Sequence, residues 1–293
     1  MTFYESLNSG KFVVTAEVGP PKGTDIKETL HHMELLKGKV DAANVTDNQS
    51  AVMRICSIAI CKLAIEHGLE PIFQMTCRDR NRIGLQSDLL GASVLGIKNV
   101  LCMTGDHVSA GDHKNAKPVY DVESVQLLQI VDGLNNGKDM SGNELKGATD
   151  FFQGAVVTPE ANPIEPQLMK FEKKVKAGAR FFQTQAIYDI EKFKEFMKFA
   201  REFPVKILAG FVILKSAGMA TFLNKNVPGI RVPQELIDEL KAAGKEKALD
   251  TGLNIAARQI KQLKDEKVCD GVHIMAIGME DKVPIIMERA GLL

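Results

Sequence analysis

One carboxylate stands inside an apolar stretch near the start of the chain. Glu17 lies between Ala16 and Val18, before the stretch gives way to glycine and prolines. An ionised carboxylate in such surroundings is costly unless a cation pairs with it or a proton neutralises it. A carboxyl group that keeps its proton near neutral pH can act as a general acid. Two interpretations therefore stay open on these residues: a general acid, or a structural ion pair with Arg78 or Lys215.

Eight short apolar runs, each followed by a helical pattern, would position this carboxylate. The runs cover residues 12–18, 42–46, 71–76, 99–104, 154–157, 180–185, 206–214 and 271–277. The helical patterns cover residues 25–36, 51–67, 81–95, 122–134, 166–177, 190–203, a longer region up to about 264, and 282–290. Strands that alternate with helices pair in parallel through right-handed crossovers, and their two buried faces make them apolar throughout. An open doubly wound sheet is the main alternative, but its G-x-G-x-x-G fingerprint is absent after the first strand. The sequence predicts an α/β fold, a single (β/α)₈ TIM barrel that forms one domain over residues 1–293.

Polar residues crowd the carboxyl-terminal ends of these predicted strands. Active sites of (β/α)₈ barrels lie at that end. Loops are polar in general, so part of this pattern is expected without any site. Glu17 and Gln185 are stronger evidence, because both fall within apolar runs.

Seven short motifs follow one another along nearly the whole chain. They are Glu17 to Pro21, Asn44 to Thr46, Met75 to Cys77, Thr104 to Asp106, Lys174 to Ala179, Thr184 with Gln185, and Val227 to Pro233. Each is weak alone, but in this order the set resembles the methylenetetrahydrofolate reductase family. The resemblance implies reduction of methylenetetrahydrofolate to methyltetrahydrofolate by a flavin bound at the top of the barrel.

The resemblance also implies roles for individual residues. Glu17 would be the catalytic general acid that protonates N10 of the folate and opens its five-membered ring. Asp106 would be catalytic as well, lying between flavin and pterin, and Gln185 would bind the pterin through its amide. Met219, counted among the implied substrate-binding residues, stands about where relatives place an aromatic residue that stacks on folate or nicotinamide. The implied flavin-binding residues are Thr46, Thr76, Thr104, Gly105, Asp106, Thr158, Asn162 and Lys174.

The sequence departs from the family pattern at the adenosine end of the flavin. Thr104 replaces an arginine beside the phosphates, and Asn162 replaces a histidine, so FMN and FAD both remain open as the flavin. With Met219, these changes put direct use of NADH in doubt. The segments Cys77–Asn81 and Met103–His107 resemble the reductases of acetogenic bacteria, in which a cysteine-rich iron–sulfur subunit accompanies the flavoprotein. The resemblance therefore implies such a partner subunit.

Composition narrows the other possibilities. Lys+Arg and Asp+Glu are equal at 37 each, so no global basic field attracts nucleic acid or an anionic membrane. Five cysteines without a C-x-x-C pair predict mostly buried thiols and no cluster held by this chain alone. With no secretory signal and no apolar run long enough to enter a membrane, we expect a cytoplasmic protein. His107, Asp112 and His113 are interpreted as solvated loop residues, and no metal site is expected.

Two other functions compete with folate reduction. One is a flavin-free barrel lyase or transferase acting on a pterin, with Glu17 and Asp106 as an acid/base pair. The other is a non-catalytic barrel subunit of a redox complex. A bound flavin in the purified protein would separate the first hypothesis from both alternatives.

Overall fold

Eight parallel strands close into one barrel in the computed structural model, which describes residues 1–293. The strands are β1 Val13–Val18, β2 Ala42–Val45, β3 Pro71–Thr76, β4 Asn99–Met103, β5 Phe152–Val157, β6 Phe181–Ala186, β7 Lys206–Val212 and β8 Gly271–Met275. Each strand pairs with the next in chain order, and β8 returns to pair with β1. The prediction of a single (β/α)₈ TIM barrel is confirmed.

Helices surround the barrel and connect its strands. They are α1 Phe3–Asn8, α2 Lys27–Leu36, α3 Ser57–Glu66, α4 Arg82–Val94, α5 Ser124–Asn135, α6 Glu165–Lys176, α7 Ile190–Ala200, α8 Ala217–Asn226, α9 Gln234–Ala242, α10 Gly244–Asp265 and α11 Val283–Arg289. The largest hydrophobic cluster, of 58 buried residues, fills the layer between strands and helices. This layer holds the strand ends in fixed positions. No helix combines the length and the apolar character needed to cross a bilayer.

The amino-terminal end of the barrel is plugged with aromatic rings. Phe3 of α1 packs edge-on against Phe181, with ring centroids 5.1 Å apart, and against Phe152 at 5.8 Å. The apolar sequence of 12–18 predicted a strand at this end but not the short helix before it. That helix begins with a capping box at Thr2, whose side chain and backbone exchange hydrogen bonds with Glu5. The plug leaves the carboxyl-terminal end as the open mouth.

Two predicted helices differ from the structure. The helix expected from residue 51 begins at Ser57, because Ser50 and Ala51 have positive φ values of 56° and 58° in a short 3₁₀ turn. The long helical region after β7 is three helices, α8 to α10. Pro228 and Pro233, which cannot continue a helix, lie between the end of α8 and the start of α9. Gly244, with φ of +71°, accommodates the turn between α9 and α10.

Candidate active site

A cleft of about 440 Å³ opens at the carboxyl-terminal mouth of the barrel, a volume in the usual range of small-molecule sites. Strand ends and the loops that follow them form its wall. Eight of the residues predicted for the site line it: Glu17, Thr76, Thr104, Gly105, Asp106, Thr158, Lys174 and Gln185. The structure thus brings together residues that are up to 168 positions apart in the chain.

Three residues predicted for the site do not line the cleft. Thr46 is buried at the end of β2, and its hydroxyl oxygen has no hydrogen-bond partner. Asn162 is exposed on the loop after β5. Met219 lies in the first turn of α8 and packs against a separate cluster of 12 buried residues. The contacts of Met219 in this structure are those of a packing residue, a common role for methionine.

Glu17 is buried, and a histidine rather than an arginine or a lysine faces it. Nε2 of His273, on the neighbouring strand β8, lies 3.7 Å from a carboxylate oxygen of Glu17. The alternative of an ion pair with Arg78 or Lys215 is wrong. The Arg78 guanidinium pairs instead with Asp79 at 2.8 Å, and Lys215 is exposed.

A chain of buried polar side chains crosses the barrel beneath Glu17. Nδ1 of His273 hydrogen bonds to the Thr15 hydroxyl at 2.9 Å, and that hydroxyl accepts from the Gln183 amide at 3.3 Å. Gln183 and Asn44 exchange two amide hydrogen bonds, of 2.6 and 3.0 Å. Because every link is buried, the chain fixes the imidazole so that Nε2 points at Glu17. We call these five residues the acid end of the cleft.

Asp47 fixes the threonine at the end of β3. Its carboxylate accepts from both the amide and the hydroxyl of Thr76 at 2.9 Å. The Arg80 guanidinium donates to both Asp47 oxygens at 2.8 Å, a bidentate pair. Thr76 therefore has one rotamer and one orientation in the cleft wall.

The loop after β4 brings Asp106 to the mouth with its side chain exposed. Gly105 has φ of +88°, and a Cβ there would lie 2.9 Å from Cβ of Thr76, so only glycine fits. The carbonyl oxygen of Asp106 accepts from the Tyr120 hydroxyl at 2.9 Å and from Arg78 at 3.3 Å. The backbone is thus anchored while the carboxylate stays available to a ligand.

Gln185 of β6 lines the cleft. It lies two residues after Gln183, so strand alternation places both side chains on the same face, and the register between β6 and β7 shifts between Gln183 and Ala186. Gln183 and Gln185 both line the cleft, and Gln183 also belongs to the buried network of hydrogen bonds beneath Glu17. The Gln185 side-chain carbonyl accepts from the amide of Ala186 at 3.0 Å. Its NH₂ group is left to donate to a ligand.

Across the barrel from the acid end, four side chains from α5 and α6 line the cleft. They are Ser124, Gln167, Lys170 and Lys174, which we call the lysine end. The ammonium group of Lys174 is buried and donates to the carbonyl of Val156 at 2.6 Å. Burial, with a smaller effect of the positive charge of Lys170, lowers the Lys174 pKa to about 8. Lys170 itself pairs with Glu123 at 2.9 Å. A bound anion would neutralise the buried charge of Lys174.

Several of these residues were missed in the sequence, although some carried a signal. His273 and Gln183 interrupt apolar strand runs in the same way as Glu17 and Gln185 do, so the same criterion would have found them. Lys170 and Gln167 lie on the amphipathic helix α6, which contains several lysines. The sequence alone does not distinguish the lysines that face inward from those that face solvent. Their role depends on the rotation of α6, which the sequence does not specify.

The polar loop after β4 holds no metal-binding cluster. Asp112 pairs with Lys22 and with His113, and His107 accepts from the amide of Ser109 at the start of a 3₁₀ turn. No group of three or more metal-type ligands is found anywhere in residues 1–293. Of the five cysteines, Cys61, Cys77, Cys102 and Cys269 are buried and Cys56 is exposed.

The barrel and its cleft define a (β/α)₈ protein with its site at the carboxyl-terminal mouth. The model of the methylenetetrahydrofolate reductase family matches residues 2–291, and the chain belongs to that family. It is 25% identical over 258 residues to methylenetetrahydrofolate reductase 2 of Schizosaccharomyces pombe, covering 81% of this chain and 38% of that protein. It is 25% identical over 271 residues to 5,10-methylenetetrahydrofolate reductase of Salmonella typhimurium, covering 89% of this chain and 85% of that protein.

The chain thus spans well under half the length of the first of these relatives, and most of the length of the second. One solved structure has the same fold over 100% of both chains, with a TM-score of 0.68 and 15% identity. That structure is an uncharacterised protein from Clostridium thermocellum that binds two copies of 5-methyl-5,6,7,8-tetrahydrofolic acid.

Proposed function

We propose that this chain is the catalytic subunit of a methylenetetrahydrofolate reductase, a flavin-dependent oxidoreductase of the class that acts on CH–NH donors. In this proposal it reduces 5,10-methylenetetrahydrofolate to 5-methyltetrahydrofolate. The observation that carries the proposal is one cleft, in a member of this family, that joins a buried carboxyl beside a histidine to a buried lysine on the opposite side. The names of the relatives and the methyltetrahydrofolate bound by the structural neighbour support the same substrate class.

The residues of the cleft fit a flavin. Lys174 is a buried cation whose only hydrogen-bond acceptor is a neutral carbonyl, so it suits the phosphate of FMN or FAD. Thr76, Thr104 and Gly105 form a wall of small side chains that a flat ring system can approach. A flavin bound there would supply the hydride that converts the methylene carbon into a methyl group.

The acid end would open the folate ring. The carboxyl of Glu17 would give its proton to N10, which breaks the bond between N10 and the methylene carbon and leaves an iminium at N5. His273, held by Thr15, would fix the orientation of that carboxyl and stabilise its ionised form after the transfer.

Asp106 and Gln185 would hold the pterin. The exposed Asp106 carboxylate can accept from the amino-pyrimidine edge, and its negative charge beside a reduced flavin disfavours further negative charge on the ring. The free NH₂ group of Gln185 can donate to the pterin carbonyl. Together they would orient the substrate so that N10 faces Glu17.

The proposed electron donor is based on the departures from the family pattern at Thr104, Asn162 and Met219. We propose that electrons arrive from a cysteine-rich iron–sulfur partner subunit that docks near the mouth of the barrel, as in the acetogenic type. Met219, outside the cleft, offers no stacking face for a nicotinamide. We also propose a cytoplasmic protein in which residues 1–293 act as one flavin- and folate-binding domain.

Purification of the chain tests the proposal. The protein should show flavin absorbance after reconstitution with FMN or FAD, and its dithionite-reduced form should be reoxidised by methylenetetrahydrofolate. A protein that binds folate but no flavin would instead favour the pterin lyase or transferase. A protein that binds flavin but leaves the folate unchanged, even with its co-purifying partner, would favour a non-catalytic subunit.

A further inference from the structure

A second cavity, of about 290 Å³, also reaches Glu17 and adjoins the cleft at Gln49. Its wall combines the loop after β1, helix α2, the loop after β2 and the loop after β8. Glu17 is a lining residue of both this cavity and the cleft. We call it the rear cavity. Glu17 thus borders two cavities.

The rear cavity is lined by groups that can carry protons. Apart from Glu17, its ionisable residues are Glu28 and His32 of α2, Arg54 from the loop after β2, and Glu280 from the loop after β8. Nδ1 of His32 lies 3.5 Å from Oε2 of Glu280, an ion-pair distance. The side chain of His32 is 16% exposed, so this imidazole is also in contact with solvent.

Two polar atoms in this wall lack hydrogen-bond partners. Glu280 is only 4% exposed, and its Oε2 has no hydrogen-bond partner in the protein. Nε of Arg54 is buried and equally without a partner, although its Nη1 donates to the carbonyl of Pro20 at 3.1 Å. Buried polar atoms without protein partners are normally satisfied by ordered water when they line a cavity large enough to hold it. The rear cavity is large enough for several waters.

The wall offers little to an anionic ligand. Three carboxyl groups, those of Glu17, Glu28 and Glu280, share it with one permanent cation, Arg54. A phosphate or a glutamate tail would face the carboxylates of Glu28 and Glu280 with only that guanidinium to bind it. Water, which donates to carboxylates and accepts from guanidinium, suits every group in the wall.

We infer that the rear cavity is a proton inlet, with His32 as the relay that returns a proton to Glu17 after each turnover. This rests on the proposed function. Each reduction transfers one proton from Glu17 to N10 of the folate, where it stays in the product, so Glu17 must regain one proton from solvent per cycle. The His32 imidazolium gives its proton to cavity water, the water passes one on to the Glu17 carboxylate, and the neutral His32 takes up a proton from bulk solvent. The carboxylate of Glu280, 3.5 Å from Nδ1 of His32, faces the imidazolium formed in that step.

The inlet has a kinetic signature, because the first turnover uses the proton already on Glu17. In a His32→Gln variant that is pre-reduced with dithionite, the first turnover with methylenetetrahydrofolate should stay within about twofold of wild type, whereas later turnovers slow about tenfold or more. Added imidazole should restore the later turnovers. Their rate should show a larger decrease in D₂O than the wild-type rate does. Glu280→Gln should act in the same direction.

His31 provides a matched control, since it is the same residue type one position earlier on α2, is exposed and does not line the cavity. His31→Gln should leave both phases unchanged. Equal slowing of first and later turnovers in His32→Gln and Glu280→Gln would reveal a merely structural role, and unchanged later turnovers would show that protons enter through the cleft. Either result overturns the inlet while leaving the proposed function intact.

A second measurement does not depend on turnover. The carboxyl stretch of protonated Glu17, identified by its loss in Glu17→Gln, shifts when the proton exchanges for deuterium. With 5-methyltetrahydrofolate covering the cleft, this exchange should be slower in His32→Gln than in wild type and His31→Gln. Equal exchange rates in the three proteins would overturn the inlet. A wild-type protein that exchanges through the cavity but never reduces the folate would overturn the proposed function alone.

Discussion

The two ends of the cleft are built in different ways. The acid end consists of strand residues, and its side chains are buried and linked in one continuous chain of hydrogen bonds from Asn44 to His273. The lysine end consists of helix residues, and of its two cations Lys170 is half-exposed and paired, while Lys174 is buried with a single carbonyl acceptor. The first is rigid before a ligand arrives, whereas the second is left with an unneutralised buried charge that a ligand can satisfy.

This contrast predicts different functions for the acid end and the lysine end. Proton transfer to a defined nitrogen requires a carboxyl held in one orientation, which strands and their hydrogen bonds provide. Phosphate binding tolerates more variation, because a cation attracts an anion from many angles. Changes at the acid end should therefore affect chemistry and folding, and changes at the lysine end should affect cofactor affinity and, through the buried charge of Lys174, the pH dependence of stability.

The largest effect is expected at Glu17. Glu17→Gln should lower the rate of folate reduction by about two to four orders of magnitude while leaving flavin binding and flavin reduction near wild type, because the amide cannot donate a proton to N10. Stopped-flow measurement of the two half-reactions separates these outcomes. Glu34→Gln, on the exposed side of α2, is the control. Near-normal folate turnover in Glu17→Gln would remove Glu17 from the mechanism.

The rigidity of the acid end is tested by breaking its buried chain. Gln183→Leu leaves the amide of Asn44 without its partner and should lower the free energy of unfolding by about 1–3 kcal/mol. Urea denaturation measures the change. Because Asn44→Leu removes the same pair of hydrogen bonds, the double variant should lose clearly less than the sum of the two single losses. Additive losses would mean that the two amides do not depend on each other.

Much of this architecture was predictable from the sequence. Eight apolar runs with helical patterns between them predict parallel strands that are buried on both faces, and the missing G-x-G-x-x-G fingerprint favours the barrel over an open sheet. Glu17 and Gln185 were found because they interrupt such runs, and both line the cleft. The partner of Glu17 was not found. His273 is 256 residues away, and the closure of β8 onto β1, which makes them neighbours, is a property of the complete barrel.

Loop and helix residues were predicted less well for a physical reason. A strand residue in a barrel faces either inward or outward, so a polar residue within an apolar run indicates a position that faces inward. A loop residue such as Asn162 has no such alternation. Its exposure in the structure follows from the path of the loop after β5. Likewise, only one of the adjacent residues Lys173 and Lys174 faces the cleft, and the rotation of α6 decides which.

Substrate binding on the pterin side should give a smaller effect. Gln185→Ala removes the free NH₂ group and should raise the KM for methylenetetrahydrofolate about tenfold, with kcat changed much less, since one hydrogen bond to the substrate is lost. Steady-state kinetics with saturating reductant measure both constants. Reduction of the flavin in the absence of folate is the internal control. Equal damage to both half-reactions would show that Gln185 supports the barrel rather than the substrate.

The smallest effect concerns pH, and it tests the lysine end directly. The pKa of Lys174 is lowered to about 8 by burial, so its ammonium group loses its proton as pH rises from 7 to 9. If that charge binds the flavin phosphate, the affinity for FMN should fall about fivefold over this interval, as fluorescence titration of FMN would show. Lys174→Met, which removes the charge and keeps most of the side-chain length, should bind FMN more weakly at pH 7 and should lose the dependence on pH. Lys173→Met, exposed on the same helix, should behave as wild type.

The stability of the flavin-free protein should change in the opposite direction. A lysine whose folded-state pKa lies below its unfolded value of 10.5 binds fewer protons when folded, so folding becomes more favourable as pH rises from about 8 toward 10.5. The difference in unfolding free energy between wild type and Lys174→Met isolates this contribution from other titrating groups. Affinity that falls with pH, in a protein whose stability relative to Lys174→Met rises, is the signature of one buried amine serving as the anion site. If Lys174→Met changed neither the FMN affinity nor the unfolding free energy at any pH, the phosphate would have to bind elsewhere. The contrast between a rigid acid end and a ligand-dependent lysine end would then fail.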